Sequence, residues 1–257
     1  MTQAIDLALS VAREAGALLR EHLREPLGIR EKRERADIVT LADQASEALI
    51  VERLRAAYPT ATILSEESGV HRGSGEERWI VDPLDGTTNF AHGYPLFCVS
   101  IAYERAGDVL AGVVYAPLMN ECFAAEHGAG ASLGDAPIRV SNIGRLADAM
   151  ACTGFRPAHY ERNARQFAAI SDRAQAVRRD GSAALDLAYV ACGRFDAFWE
   201  FGLNAWDVAA GTLLVRESGG CVTTVETDRE PLDAGSILAT NGSLHGELRL
   251  AILSAAL

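Results

Sequence analysis

Residues 79–90 of this chain read WIVDPLDGTTNF, an apolar stretch that meets two aspartates, Asp82 and Asp85, three positions apart. Trp79, Ile80 and Val81 have the character of a short buried strand. Two carboxylates held about 4 Å apart repel each other by roughly 4 kcal/mol at an effective dielectric near 20. A core strand leading into such a pair calls for something positive between them. Pro83 fixes its own φ and has no N–H, which stiffens the turn carrying both acids. Gly86 lets the backbone come close to a ligand. If Gly86, Thr87 and Thr88 open a short helix, their free N–H groups face an anion. The stretch therefore offers oxygen ligands for a cation beside amide donors for an anion. It contains no His or Cys, and hard carboxylate oxygens favour Mg²⁺ or Mn²⁺ over Zn²⁺. Mg²⁺ commonly shares substrate phosphate oxygens, so the expected anion is a phosphate.

Other acids stand at strand ends or helix starts. Glu66 and Glu67 follow Thr62-Ile63-Leu64-Ser65, and Asp207 follows Trp206 at the start of a helical pattern. Each has a plain explanation when taken alone. Glu66-Glu67 suits a surface turn, Asp85 a turn before glycine, and Asp207 a first helical turn, where the dipole favours a negative charge.

The elements that must position these acids follow from periodicity. Ile5, Leu9, Ala12, Leu19 and Leu23 form one stripe of a helix over residues 2–24, which Pro26 and Gly28 end. Residues 29–37 read as a charged, solvated loop. A second helix runs from Thr40 to Tyr58, with Thr40 and Asp43 as a capping box. Strands are expected at 62–65 and 78–81, joined by a polar loop, then as an antiparallel run at 96–104, 109–117 and 121–127. From about residue 146 the pattern alternates: strands at 149–153, 195–201, 220–225 and 236–240, with helices at 158–172, 182–192, 206–218 and from 245. This predicts an α/β chain with two sheet-containing halves, residues 1–145 and 146–257, with helices between and outside them, forming one functional unit.

Composition excludes several classes. With 49% hydrophobic and 23% charged residues, the 257-residue chain is globular in type, not disordered. A net charge of -11 argues against nucleic-acid binding, yet permits an anionic substrate where a metal reverses the local sign. Five scattered cysteines without a Cys-x-x-Cys pair read as reduced core residues. No apolar run approaches a membrane span, and Asp6, Arg13 and Glu14 break any signal-peptide core, so a cytoplasmic location is expected.

Residues 82–90 (DPLDGTTNF) and 206–220 (WDVAAGTLLVRESGG) resemble the two signature motifs of the inositol monophosphatase family. The upstream segments EES at 66–68 and DIVTLAD at 37–43 match in order and spacing, and the likeness extends over essentially the whole chain, including 178–200. The resemblance implies an αβαβα sandwich of the kind shared with fructose-1,6-bisphosphatase, a homodimer, and hydrolysis of small phosphate monoesters with two or three Mg²⁺ per site, Mn²⁺ being a substitute. It implies metal ligation by Glu66, Asp82, Asp85, Asp207 and the carbonyl of Leu84. Gly86 and Thr87 would hold phosphate and orient the attacking water. Asp43 would accept from the Thr87 hydroxyl, and Glu66 would join that pair in activating water. Lys32 falls where the family often has a loop lysine near the metals. Leu84, Asp85, Asp207, Gly181, Ser182, Ala183 and Glu200 match positions that contact the substrate.

The sequence also weighs against one rival. In haloacid-dehalogenase-type phosphatases two aspartates of the signature lie two residues apart, whereas Asp82 and Asp85 are separated by three with a proline between. Within the resembled family, Thr88-Asn89-Phe90 is similar to the inositol-phosphate branch, making myo-inositol 1-phosphate the expected substrate. The alternatives are fructose 1,6-bisphosphate, 3′-phosphoadenosine nucleotides, histidinol phosphate, NADP, or a regulatory interaction protein on the same fold.

Overall fold

The structure is a computed structural model that describes residues 2–23, 28, 30–31 and 38–255. Lys32, Pro26 and most of the charged segment expected as a loop lie outside the described residues. Within that segment Arg30–Glu31 is a strand, paired antiparallel with Ile38–Val39, and not loop.

Helices α1 (Gln3–His22) and α2 (Leu41–Ala57) pack together on one face of an eight-stranded sheet. The stripe that buries α1 is Ile5, Ala8, Val11, Ala12, Ala15 and Leu19, while Leu9 and Leu23 remain half-buried. The capping box of α2 forms as expected, with Asp43 Oδ2 accepting from the Thr40 N–H at 2.8 Å. In spatial order the sheet runs Ala136–Pro137, Gly130–Leu133, Glu121–Glu126, Asp108–Ala116, Cys98–Arg105, Glu77–Asp85, Thr62–Ser65 and Gly69–His71. The segment expected as a polar loop after residue 65 thus contributes an edge strand, because Gly69 at φ +75 turns Gly69–His71 back to pair with Thr62–Ser65.

A second sheet of five strands runs Ala176–Arg178, Met150–Thr153, Ala197–Phe201, Ser236–Thr240 and Cys221–Thr223. Between the sheets lie α5 (Ala183–Ala191) and α6 (Ala205–Glu217), after the short α3 (Thr87–Ala91) and the outer α4 (Tyr160–Ser171) in chain order. Helix α4 and the last helix, α7 (His245–Ser254), cover the far face of the smaller sheet. The order helix, sheet, helix, sheet, helix is the αβαβα sandwich. Among the described residues no helix is long and apolar enough to cross a membrane.

The strand Glu77–Asp85 explains how an acid pair can leave a core. Trp79 and Val81 pack toward α1 and α2, whereas Ile80 packs toward the central helices, as the two-residue period of a strand dictates. Three residues of separation would put Asp82 and Asp85 on opposite faces. The pairing prevents this: Asp82 lies opposite Ser100 and Asp85 opposite Cys98, three steps on one strand against two on its partner. That bulge, at Pro83 and Leu84, returns both carboxylates to the face that looks at the central helices.

Candidate active site

The two aspartates come first because everything else closes around them. Asp82 is buried, with Oδ1 accepting from the Leu84 N–H at 3.0 Å. Asp85 is held by the start of α5: its Oδ2 accepts from the Ser182 hydroxyl at 2.7 Å and the Ala184 N–H at 2.8 Å. Asp207, in the first turn of α6, uses Oδ2 to accept from the Asn204 N–H at 2.7 Å and from Arg156 Nη2 at 3.0 Å. One carboxylate oxygen each from Asp82, Asp85 and Asp207 lies within 4.8 Å of the others. One strand end and one helix start therefore deliver three buried negative charges to one point.

Electrostatics shows how uncomfortable that point is. Burial, reinforced by Glu66, Asp85 and Asp207, holds the Asp82 carboxyl well above its ordinary value. Burial also raises Asp85, against the opposing hydrogen bonds from Ser182 and Ala184. Asp207 is pushed up to about 7 by burial, with Arg156 opposing. Buried acids remain this way only with protons or with a cation among them. A cluster of hard carboxylate oxygens with no His or Cys among its members fits a hard divalent cation.

Next to the acids, Gly86 caps α3 with φ +91, a conformation costly for any side chain. A Cβ there would also crowd the carbonyls of Leu96 and Gly181 at 3.0 and 3.3 Å. The glycine is thus required by its φ and by neighbouring main chain, whereas the sequence suggested ligand approach. Thr87 follows, its hydroxyl 3.0 Å from Asp43 Oδ1 and 3.1 Å from the Leu84 carbonyl. Asp43 itself is fully buried behind Thr87, and burial raises its carboxyl against hydrogen bonds from Thr40 and Thr87.

These residues open on one cavity of about 380 Å³ between the two sheets. Glu66, Asp82, Leu84, Asp85, Gly86, Thr87, Gly181, Ala183, Glu200 and Asp207, all expected from sequence, line it. Asp43 lies behind the wall, bonded to the Thr87 hydroxyl. Ser182, expected against the substrate, is buried with its hydroxyl turned to Asp85, so it holds an acid in place. Glu200 lies across the cavity, pushed up to about 8 by burial with Arg156 opposing. Its carboxylate fills the space where Gly154 would carry a Cβ.

Sequence reasoning missed Arg156, Arg179 and Phe155 on the cavity wall, and the glycine at 154. It noted Asn89 only as part of a motif. The Asn89 amide donates to the Leu96 carbonyl at 2.6 Å and the Asp180 carbonyl at 2.7 Å, tying α3 to the loop before α5. Asn89's place beside two threonines in a short helix start was a legible signal. Arg156 sits in a loop without periodicity and had none. A further buried acid, Asp186, lies on α5 beside Cys152 and Asp180, and burial holds its carboxyl well above the ordinary value.

A layered α/β sandwich whose cavity gathers buried carboxylates beside a short helix start defines a metal-dependent phosphatase class of site. The sequence profile of the inositol monophosphatase family matches residues 1–256, and the chain belongs to that family. It is 46% identical over 220 residues to an inositol-1-monophosphatase of Mesorhizobium japonicum, covering 84% of this chain and 83% of the relative. It is 43% identical over 251 residues to the Nus factor SuhB of Pseudomonas aeruginosa, covering 94% of this chain and 92% of that protein. The crystal structure of the extragenic suppressor protein suhB from Bartonella henselae superposes with a TM-score of 0.95 at 40% identity, over 98% of each chain.

Proposed function

We propose that this chain is a Mg²⁺-dependent phosphatase of small polyol phosphate monoesters, with myo-inositol 1-phosphate as its best substrate. The observation that carries the reading is convergence: the three-acid cluster, the Gly86–Thr87 helix start and Glu200 share one cavity of about 380 Å³. Glu66, Asp82, Asp85, Asp207 and the carbonyl of Leu84 would hold Mg²⁺. Bound Mg²⁺ supplies the positive charge that neutralises a phosphate dianion and eases deprotonation of water. Thr87 donates its one hydroxyl proton to Asp43 and presents its oxygen lone pairs to the attacking water. Gly86 and Thr87 offer main-chain N–H groups to the phosphate, and Gly181, Ala183 and Glu200 face the alcohol. Glu200, buried and aimed into the cavity, accepts from ring hydroxyls and so selects a polyol over a featureless alcohol. The working form is a cytoplasmic homodimer.

The test is phosphate release from myo-inositol 1-phosphate and a panel of sugar, nucleotide and histidinol phosphates, with Mg²⁺, with Ca²⁺ and with excess chelator. We expect turnover only with Mg²⁺ or Mn²⁺, and inhibition by Ca²⁺, whose looser coordination misplaces the water. Full activity in chelator would refute the metal; preference for another panel member would move the substrate. The likeness to proteins named Nus factor SuhB supports a second reading, a regulatory interaction role on the same fold. Background turnover of every substrate in saturating Mg²⁺ would leave that reading alone.

A further inference from the structure

Arg156 is the one cation seen to pair with the acidic cluster among the described residues, and nothing in the family motifs calls for it. Its Nη2 lies 3.0 Å from Asp207 Oδ2, and the guanidinium lines the catalytic cavity. The two partners differ in exposure: the Asp207 side chain is 3% exposed and the Arg156 side chain 39%. One end of the pair is buried in the protein and the other is open to the cavity. The buried end is reinforced, since Asp207 Oδ2 also accepts from the Asn204 N–H at 2.7 Å.

The seat of Arg156 is built. Thr153, just before it, donates its hydroxyl to the Trp199 carbonyl at 2.6 Å, and Asn163 donates to the Gly154 carbonyl at 2.9 Å. The Arg156 carbonyl accepts from the His159 N–H at 2.9 Å. Gly202, at φ +81, leaves room on the other side, where a Cβ would meet Arg156 Cβ at 3.4 Å. Backbone anchors thus hold the stem while the guanidinium reaches Asp207.

We propose that Arg156 is a positioning residue that serves as a resident counter-ion for Asp207 and competes with the divalent metal for the cluster. The inference rests on the reading that Asp207 is a metal ligand. A metal drawn to the shared oxygens of Asp82, Asp85 and Asp207 arrives beside a guanidinium of the same sign. Binding must therefore displace that guanidinium or tolerate it. In the metal-free protein the same guanidinium offsets part of the repulsion among the acids, so the cavity stays assembled.

The experiment is calorimetric titration of the chelator-stripped full-length chain with Mg²⁺ or Mn²⁺ alone, without substrate, paired with melting of the stripped protein. Arg156→Ala should bind metal at least tenfold more tightly and melt at a lower temperature when stripped. Arg156→Lys should fall between, because it keeps a charge but loses the planar fork. Asp207→Asn is the control for the underlying reading. If Asp207→Asn leaves metal affinity unchanged, Asp207 is not a ligand and the reading fails. If Asp207→Asn weakens binding while Arg156→Ala leaves it unchanged or weaker, the counter-ion inference alone fails. Should Arg156→Ala not fold, Arg156→Gln answers the same question.

Discussion

Removing divalent metal with chelator and then lowering the pH from 8 to 6 should stabilise this protein. Two buried carboxyls lead the effect, Asp82, Asp85 and Asp186 being raised in the same direction, while His245, lowered to about 4 chiefly by burial, opposes it more weakly. Asp207 is raised from an ordinary 3.8 to about 7, and Glu200 from 4.5 to about 8, both chiefly by burial. A carboxyl whose folded pKa exceeds its unfolded one takes up a proton in the fold first. Its stabilisation is complete below the unfolded value and is lost as pH rises through the folded value. Between pH 8 and pH 6 both groups protonate in the folded chain and stay ionised in the unfolded one. Treated independently they give roughly 3–4 kcal/mol, since each unit of pKa shift corresponds to about 1.4 kcal/mol. Because the two share one field with Asp85 and Arg156, about 2–4 kcal/mol is the better expectation. For a chain of this length that is roughly 5–10 °C in melting temperature. Differential scanning fluorimetry in chelator across this range is the assay. Saturating Mg²⁺ should flatten or reverse the trend, because the metal needs the ionised carboxylates. A melting temperature in chelator that is flat or falls from pH 8 to pH 6 would refute the reasoning.

Three substitutions test the separate parts of the site. Asp207→Asn keeps the shape and removes one negative charge, so kcat should fall at least a hundredfold, about 2.7 kcal/mol of barrier, with the melting temperature of the stripped protein unchanged or raised. Ser182→Ala removes one of the donors that orient Asp85 and leaves the Ala184 N–H and the weaker Cys98 thiol. It should raise the Mg²⁺ concentration for half activity about fivefold, as expected for ~1 kcal/mol of hydrogen bond, and leave saturated kcat within a factor of three. Gly154→Ala drives a methyl group into the Glu200 carboxylate. It should cost roughly ten- to a hundredfold in kcat/KM for inositol 1-phosphate and much less for 4-nitrophenyl phosphate, whose alcohol has no hydroxyls to recognise; equal losses for both would make Glu200 a structural group.

What the sequence made legible were features written in local order. The capping box at Thr40 and Asp43, the antiparallel run from 96 to 127 and the alternation after 146 all follow from short-range periodicity and turn chemistry. The site residues were legible where they stand in contiguous motifs, as at 82–87 and 206–207. Three kinds of feature escaped. The edge strand Gly69–His71 is three residues long with a single apolar side chain, Val70, which is exposed, so its identity depends on the neighbour it pairs with. Ser182 stands beside residues that face the cavity, and only the turn into α5 shows that its hydroxyl points back to Asp85. Arg156 and Gly154 meet Asp207 and Glu200 across some fifty residues of chain, and no periodicity couples such distant positions.

The bulge at Pro83 and Leu84 joins these levels. A regular strand would divide Asp82 and Asp85 between two faces, exposing neither to a common ion, and would align every apolar neighbour with the core. The irregularity brings the two acids together at the cost of mutual repulsion and lost ladder pairing. Four devices offset that cost: the Leu84 N–H on Asp82, the Ser182 and Ala184 donors on Asp85, the Asn204 N–H on Asp207, and the Arg156 guanidinium. All but the last are neutral donors, which stabilise ionised oxygens without occupying the space between them. Arg156 alone carries a full charge, and it approaches from the cavity side. Among the described residues a site arranged in this way holds more buried acids than cations, which is the condition for an acidic protein to capture a divalent cation and, through it, a phosphate.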